Sequence, residues 1–366
     1  MKVALVYDRL NKFGGAERLL LALHRLYPSA PIYTLVHEPQ TSEWAKGLRI
    51  MPTFLNSLPF LRSRHEWLAP VAPLAFETLN LSPFDLVISL TSSDAKSVIT
   101  KPHQLHLCYC LTPTRYFWSG ISHYAGDRKM KWLPTFLKKY FAQLDLITST
   151  RPDYYLAISQ EVKKRIKKYY KRESTVVYPS IEDKFYSKKP IPFGKRKHFL
   201  IVSRLVPYKR VDLAISAFNL LKLPLVVVGT GSELKKLKQM AGSNISFAEE
   251  VSDERLIKYY REAKAVIFPQ EEDFGLVPLE AQALGTPVIA YGKGGALETV
   301  VHQKTGFLFK EQTVESLIFA IHESRKTVFN PKICQENANR FNYSLFSQKF
   351  SGEINRLWKE HQTSIN

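Results

Sequence analysis

Short apolar runs bounded by turn residues recur along the first half of the chain. They lie at Val3–Tyr7, Ile32–Val36, Leu86–Leu90, Leu105–Cys110, Tyr155–Ile158 and Thr175–Tyr178. Segments with apolar residues at helical spacing separate them, the first from Ala16 to about Leu26 after the loop Asp8–Gly15. Strands alternating with helices predict a parallel sheet. After Pro179 the texture changes to a polar, lysine-rich passage, Glu182–Lys197, and the pattern restarts with the strand His198–Val202. A loop carrying Arg204, Pro207 and Lys209 leads to a helix over Val211–Leu221. Further strands are predicted at Leu225–Val228, Ile245–Phe247, Ala265–Phe268, Pro287–Ala290 and Gly306–Phe309.

The chain therefore reads as two doubly wound, Rossmann-like α/β domains, residues 1–180 and 181–344. Phe346, Phe350, Ile354, Leu357 and Trp358 stand at helical spacing in the segment 345–366, which predicts a C-terminal helix crossing back onto the first domain. Two such sheets facing each other are expected to line a central cleft with the loops at their strand C-termini, the usual ligand site of open parallel sheets.

Length and composition agree with this picture. A chain of 366 residues, 45% hydrophobic and 23% charged, can bury two cores and carries no long low-complexity tract. Apolar runs such as Leu223–Val228 fall far short of the ~20 residues that span a bilayer, and Met1-Lys2-Val3 opens directly into a strand, so neither signal peptide nor membrane span is expected. Three cysteines, Cys108, Cys110 and Cys334, make no disulfide framework and fit a reducing cytoplasm. His106, Cys108 and Cys110 alternate on one strand face. Residues two apart on a strand lie about 6.6 Å from each other, too far to share one ion through ~2.0–2.3 Å bonds, so no metal site is expected there. Fifty-two Lys and Arg against 33 Asp and Glu leave +19, concentrated in runs such as Lys163–Arg172. That balance favours a polyanionic partner: nucleic acid, an anionic membrane surface or a phosphorylated small molecule.

The chemistry is concentrated in Ala265–Ala281, which reads as a buried strand, an acidic loop (Glu271, Glu272, Asp273) and a helix start at Gly275–Pro278. The N–H groups of such a helix start attract phosphate, whereas the loop's carboxylates repel it. The acids are therefore expected to grip hydroxyls. Glu272 and Glu280 are placed to touch different parts of one ligand; the alternative is a solvated loop acid and a first-turn acid suited to the helix dipole. Arg204 and Lys209, in the turn after the first strand of the second domain, are two cations able to clamp a diphosphate. The Gly14-Gly15 turn offers backbone donors to the same phosphates. The chain has no Asp-x-Asp pair to bridge a metal to a nucleotide-sugar diphosphate, so a leaving-group site without metal is expected. Gly229 and Gly231 begin a dinucleotide-like run, but Leu234 stands where its third glycine belongs. Thr112–Trp118 supplies aromatic faces and a cation for a sugar or lipid-phosphate acceptor; core or hinge packing of Tyr116 and Trp118 is the alternative.

Taken together, Gly14–Glu17, Ser203–Lys209, Val228–Gly231, Glu272–Glu280 and Gly294–Glu298 resemble, in order and over nearly the whole chain, the signatures of family 4 retaining glycosyltransferases of the GT-B fold. His106–Trp118 and Arg165–Tyr170 further resemble mannosyltransferases of bacterial O-antigen assembly. The resemblance implies Arg204 and Lys209 on the donor diphosphate, Glu272 on the transferred sugar and Glu280 on the ribose. It places Gly15, Gly229 and Gly231 near the donor, Phe274, Gly275 and Leu276 as backbone N–H donors, and Val251 in the base-reading loop Glu249–Asp253. His106, Thr112, Arg115, Tyr116 and Trp118 fall on the acceptor side; relatives carry His where Leu111 stands, and His106 is a distant substitute. The implied activity is retaining, metal-independent transfer of a hexose, from GDP-mannose, to a glycan or polyprenyl-diphosphate acceptor. It would run in the cytoplasm, at the inner face of an anionic membrane, with no nucleic acid involved. A nucleotide-sugar 2-epimerase on the same frame and a non-catalytic basic binder are the competing readings.

Overall fold

In the computed structural model the described residues are 1–62, 68, 70–118 and 135–365. They form two compact units, Met1–Ser180 with Phe346–Asn366, and Ile181–Leu345.

The first unit is built on a seven-stranded sheet of β1 (Val3–Tyr7), β2 (Ile32–Thr34), β3 (Ile50–Pro52), β4 (Leu86–Thr91), β5 (Leu105–Cys110), β6 (Tyr154–Ala157) and β7 (Thr175–Val176). The order is β3-β2-β1-β4-β5-β6-β7, and every pairing is parallel. All residues of β4 and β5 are buried, as expected of central strands covered on both faces. β3 has no counterpart in the sequence reading because it is a three-residue edge strand whose Met51 and Pro52 are exposed. β2 and β7 are shorter than their apolar runs. In the first case the chain turns after Thr34 so that Leu35 N–H reaches the Asp8 carbonyl at 3.3 Å. The C-terminal helix starts two residues earlier than predicted and is described over Tyr343–Ile365. Phe346, Phe350, Ile354 and Leu357 are buried, and Phe350 meets Tyr109 of β5 at 5.4 Å between ring centres.

The second unit carries a six-stranded parallel sheet in the order β10-β9-β8-β11-β12-β13. Its strands are β8 (His198–Val202), β9 (Leu225–Val228), β10 (Ile245–Ala248), β11 (Ala263–Phe268), β12 (Val288–Tyr291) and β13 (Gly306–Phe309). The helices Val211–Leu221 and Val314–Lys326 turn Leu213, Ala214, Phe218, Leu317 and Ile321 into one cluster with Ile201, Val227, Ile267 and Ile289 of the sheet. Each such buried Leu, Ile, Val or Phe side chain contributes roughly 1.5–3 kcal/mol, so the ends of these strands are firmly anchored. The helix Leu276–Ala283 is fixed by polar contacts as well. Buried Gln282 donates to the Thr299 carbonyl at 2.8 Å and accepts from Asn337 Nδ2 at 2.7 Å, which joins it to the helix Pro331–Asn339.

Candidate functional site

In the second unit the chain leaves β11 at Phe268, runs through the acidic loop and enters the helix Leu276–Ala283. Gly275, at φ +92°, occupies the position before the helix, and no side chain caps it. Gly275 thus offers no side-chain oxygen to the first-turn N–H groups at Leu276 and Val277, and Pro278 has no N–H to satisfy. The acidic loop is held by the glycines after β12. Gly295 N–H donates to the Glu272 carbonyl at 2.8 Å. A Cβ on Gly294 would overlap that carbonyl, and one on Gly295 would overlap the Phe274 backbone. Only residues without a side chain allow so close an approach. The Phe274 ring turns inward, 5.7 Å from Phe341.

Glu272 and Lys209 meet in an ion pair between Oε1 and Nζ, with their side chains 20% and 11% exposed. The amide of Gln270 reaches the same Oε1 at 3.4 Å. Lys209 ends the short turn Pro207–Lys209 after β8, where Arg210 takes a left-handed conformation at φ +51°. Gln312 fastens this turn to the acidic loop, accepting from Arg210 at 3.1 Å and donating to the Pro269 carbonyl at 2.8 Å. Arg204 is exposed and donates to the Tyr208 hydroxyl at 2.7 Å, while Lys209 Nζ lies 5.1 Å from the centre of the same ring. Arg204, Tyr208, Lys209 and Glu272 thus form one continuous row. Tyr208 and Gln312 carried no chemical signal in the sequence; their place is apparent only once the loops are folded.

Gly229, Gly231 and Glu280, all expected on the donor, have close partners within the second unit. Gly229 and Gly231 have positive φ, +133° and +157°, and a Cβ on either would overlap the backbone of Ser203 or Leu205. Their missing side chains make room for the loop that carries Arg204, so they shape the site from behind. Glu280 is 2% exposed, and its Oε2 accepts from the Tyr260 hydroxyl at 2.7 Å. One carboxylate oxygen expected on a ribose is thereby engaged with the helix Asp253–Glu262. Val251 lies half-buried in the loop after β10, just before Ser252, whose side chain caps that helix.

In the first unit, Gly15 opens the helix Gly15–Leu26. Behind this helix start the buried carboxylate of Glu17 accepts from the Tyr7 hydroxyl at 2.6 Å. Asp8, at the end of β1, accepts from Thr91 Oγ1 at 2.6 Å and from the backbone of Ser92 and Ala95 at 2.8 and 3.0 Å, tying the ends of β1 and β4 together.

Of the residues expected on the acceptor side, His106 and Trp118 are engaged by neighbours within the first unit. His106 is fully buried on β5 and shares a 2.9 Å hydrogen bond with Ser89 Oγ, so it does not present its ring to a ligand as expected. Burial, joined by the Arg151 guanidinium, pulls its imidazole down to about 3. The folded protein keeps the ring neutral while an unfolded chain binds the proton below about 6.5. Stability is therefore expected to fall as pH drops from about 6.5 towards 3, by up to about 1.4 kcal/mol per pH unit from this residue. Urea unfolding of His106→Gln across that range should show a flatter slope.

Thr114, Trp118 and Tyr170 converge on a carboxylate that sequence reasoning missed. Asp145 accepts from Thr114 Oγ1 at 2.7 Å, Trp118 Nε1 at 2.6 Å and Tyr170 OH at 3.0 Å, and pairs with the buried ammonium of Lys96 at 2.6 Å. Burial lowers the Lys96 ammonium, and Asp145 with Asp94 more than reverses this. Trp118 also stacks on Tyr169 at 5.4 Å, so its ring is taken up by packing. Thr112 is buried, with no partner for Oγ1 among the described residues, and Arg115 is half-buried. The Tyr116 side chain lies outside the described residues.

Residues 182–340 match the family Glycosyl transferases group 1. A GDP-mannose-dependent alpha-(1-6)-phosphatidylinositol monomannoside mannosyltransferase of Mycobacterium tuberculosis is 32% identical over 148 residues, which cover 36% of this chain and 38% of that protein. The human alpha-1,3/1,6-mannosyltransferase ALG2 is 32% identical over 219 residues, 49% of this chain and 53% of that protein. The chain thus spans about half or less of these relatives. Among solved structures, Anabaena HepE in complex with UDP superposes with a TM-score of 0.72 at 18% identity, over 97% of this chain and 100% of that one. Sucrose-phosphate synthase from Thermosynechococcus elongatus does so at 0.74 and 16% identity, over 98% and 100%. Residues 182–340 thus match the glycosyl transferases group 1 model, in a chain of two parallel-sheet units with the GT-B fold.

Proposed function

We propose that this chain is a retaining, metal-independent glycosyltransferase that moves mannose from GDP-mannose to a glycan or polyprenyl-diphosphate-linked acceptor of cell-surface polysaccharide synthesis. The observation that carries the reading is the row Arg204–Tyr208–Lys209–Glu272 beside an uncapped helix start. Cations and N–H groups there suit the leaving diphosphate, and the adjacent carboxylate suits sugar hydroxyls. Catalysis in this reading is positioning plus stabilisation of the charge that develops on the departing phosphate. The acceptor hydroxyl attacks the face from which the diphosphate leaves and passes its proton to a departing phosphate oxygen, so no side-chain nucleophile takes part. The mannosyl choice draws its support from relatives named as mannosyltransferases.

The exposed Lys164, Lys167, Lys168 and Lys171 of the first unit suit an anionic membrane surface at the cytoplasmic face. No helix among the described residues is long and apolar enough to cross a membrane. The test is a calorimetric screen of GDP-, UDP- and ADP-sugars with product mass spectrometry. GDP-mannose is expected to bind and to be turned over slowly by hydrolysis, and Glu272→Ala to remove turnover while the fold persists. A protein that binds no sugar nucleotide in the panel would sink the proposal.

A further inference from the structure

The ion pair between Lys209 and Glu272 has a consequence for which ligand the second unit prefers. This inference rests on the donor-site reading above. Both side chains are mostly buried, and Gln312 fastens together the two loops that carry them. Each charge therefore has a partner before any ligand arrives. A diphosphate drawing Lys209 Nζ to itself takes that partner from Glu272, and leaves a partly buried carboxylate facing new negative charge. A stranded charge of this kind is unfavourable unless other donors replace the one it lost.

A sugar attached to the diphosphate carries such donors, its hydroxyls, to the carboxylate. A nucleoside diphosphate alone ends at its terminal phosphate, and its ribose hydroxyls lie on the far side of the two phosphates, so it brings no hydroxyl to this carboxylate. We propose that Glu272 determines specificity between donor and product: its pairing with Lys209 disfavours the bare nucleoside diphosphate and leaves the sugar nucleotide favoured. The expelled diphosphate is then the worse ligand, and the carboxylate that held the sugar recovers Lys209 as the product leaves. Glu272 works here through Lys209, so a substitution that deletes the carboxylate should strengthen one ligand while weakening the other. A residue that merely maintained the site would weaken both.

Titration calorimetry with GDP and GDP-mannose, and in parallel UDP and UDP-glucose, separates the possibilities. Glu272→Gln keeps the side chain's size and removes its charge. It is expected to bind the nucleoside diphosphate about three- to tenfold more tightly than wild type, and the sugar nucleotide more weakly. Glu272→Asp, which keeps the charge but withdraws it by one methylene, should give a smaller change in the same direction. In a Lys209→Met background, Glu272→Gln should leave nucleoside diphosphate affinity within about twofold, because the pair is already broken. Unchanged or weaker diphosphate binding by both Glu272 variants overturns the inference. So does equal tightening in the Lys209→Met background, which would assign the effect to general repulsion by the acidic loop. Wild-type protein that binds none of the four ligands overturns the donor-site reading, and this inference falls with it.

Discussion

Lys209→Met is expected to lower kcat/KM for sugar transfer by about 10²–10³-fold, the range seen when one donor to developing transition-state charge is removed. Two effects combine. In the proposed reaction the leaving diphosphate would lose the less exposed cation of the row, and Glu272 loses the partner that holds its carboxylate in place. Arg204 does not substitute, because it is exposed and directed to Tyr208. The loss should appear chiefly in kcat if Lys209 acts on the departing charge, and chiefly in KM if it only binds the ground state. Lys209→Arg keeps the charge but presents a planar fork in place of a compact ammonium, and should recover only part of the activity. Steady-state assays with varied donor at saturating acceptor measure all three quantities. Activity within threefold of wild type in Lys209→Met would show that this ammonium does not face the leaving group.

Asp145→Ala is expected to lower the stability of the first unit by about 3–5 kcal/mol, the usual result of stripping one partner from a buried ion pair. The substitution strands the Lys96 ammonium, 1% exposed, and leaves Thr114 Oγ1, Trp118 Nε1 and Tyr170 OH without their common acceptor. Lys96→Met in the same chain removes the stranded charge, so the double variant should be more stable than Asp145→Ala alone. It should not return to wild type, because the three remaining donors are still unsatisfied. Urea unfolding followed by tryptophan fluorescence reports directly, since Trp118 is one of the groups released. Equal stability of the single and double variants would mean that Lys96 finds water once Asp145 is gone.

The contrast between these two sites shows how far the sequence could be read. The row Arg204–Tyr208–Lys209–Glu272 lies on loops that directly follow β8 and β11, so apolar runs place Lys209 and Glu272 at strand ends, and the residue types suggest the chemistry proposed for them. Their partnership is hidden in the sequence, since they stand 63 positions apart and no local spacing encodes an ion pair. Asp145 lay further out of reach. It sits inside the helix Thr135–Thr148, where a single acid among apolar residues looks like a solvated helix position. His106 failed for the complementary reason: its alternation with Cys108 and Cys110 was visible, but full burial of both faces of β5 was not. Gly229 and Gly231 stand out in the sequence as a dinucleotide-like run near a donor, whereas in the fold a side chain at either would meet backbone. The object approaching them is the Ser203–Leu205 backbone, and pattern alone cannot separate that from a ligand phosphate.

The contact between Tyr109 and Phe350 also bears on how the chain is made. Tyr109 belongs to the centre of the first sheet, yet Phe350 is translated only after the whole of the second unit, 170 residues beyond Ser180 (350 − 180). At about 5–20 residues per second a ribosome needs roughly 10–30 s to cover that interval. For that time the first unit lacks the Phe350 ring that packs on Tyr109, while every strand of the second is synthesised and free to pair. Completion of the two units should therefore run in the reverse of their order along the chain, the one begun first being finished last.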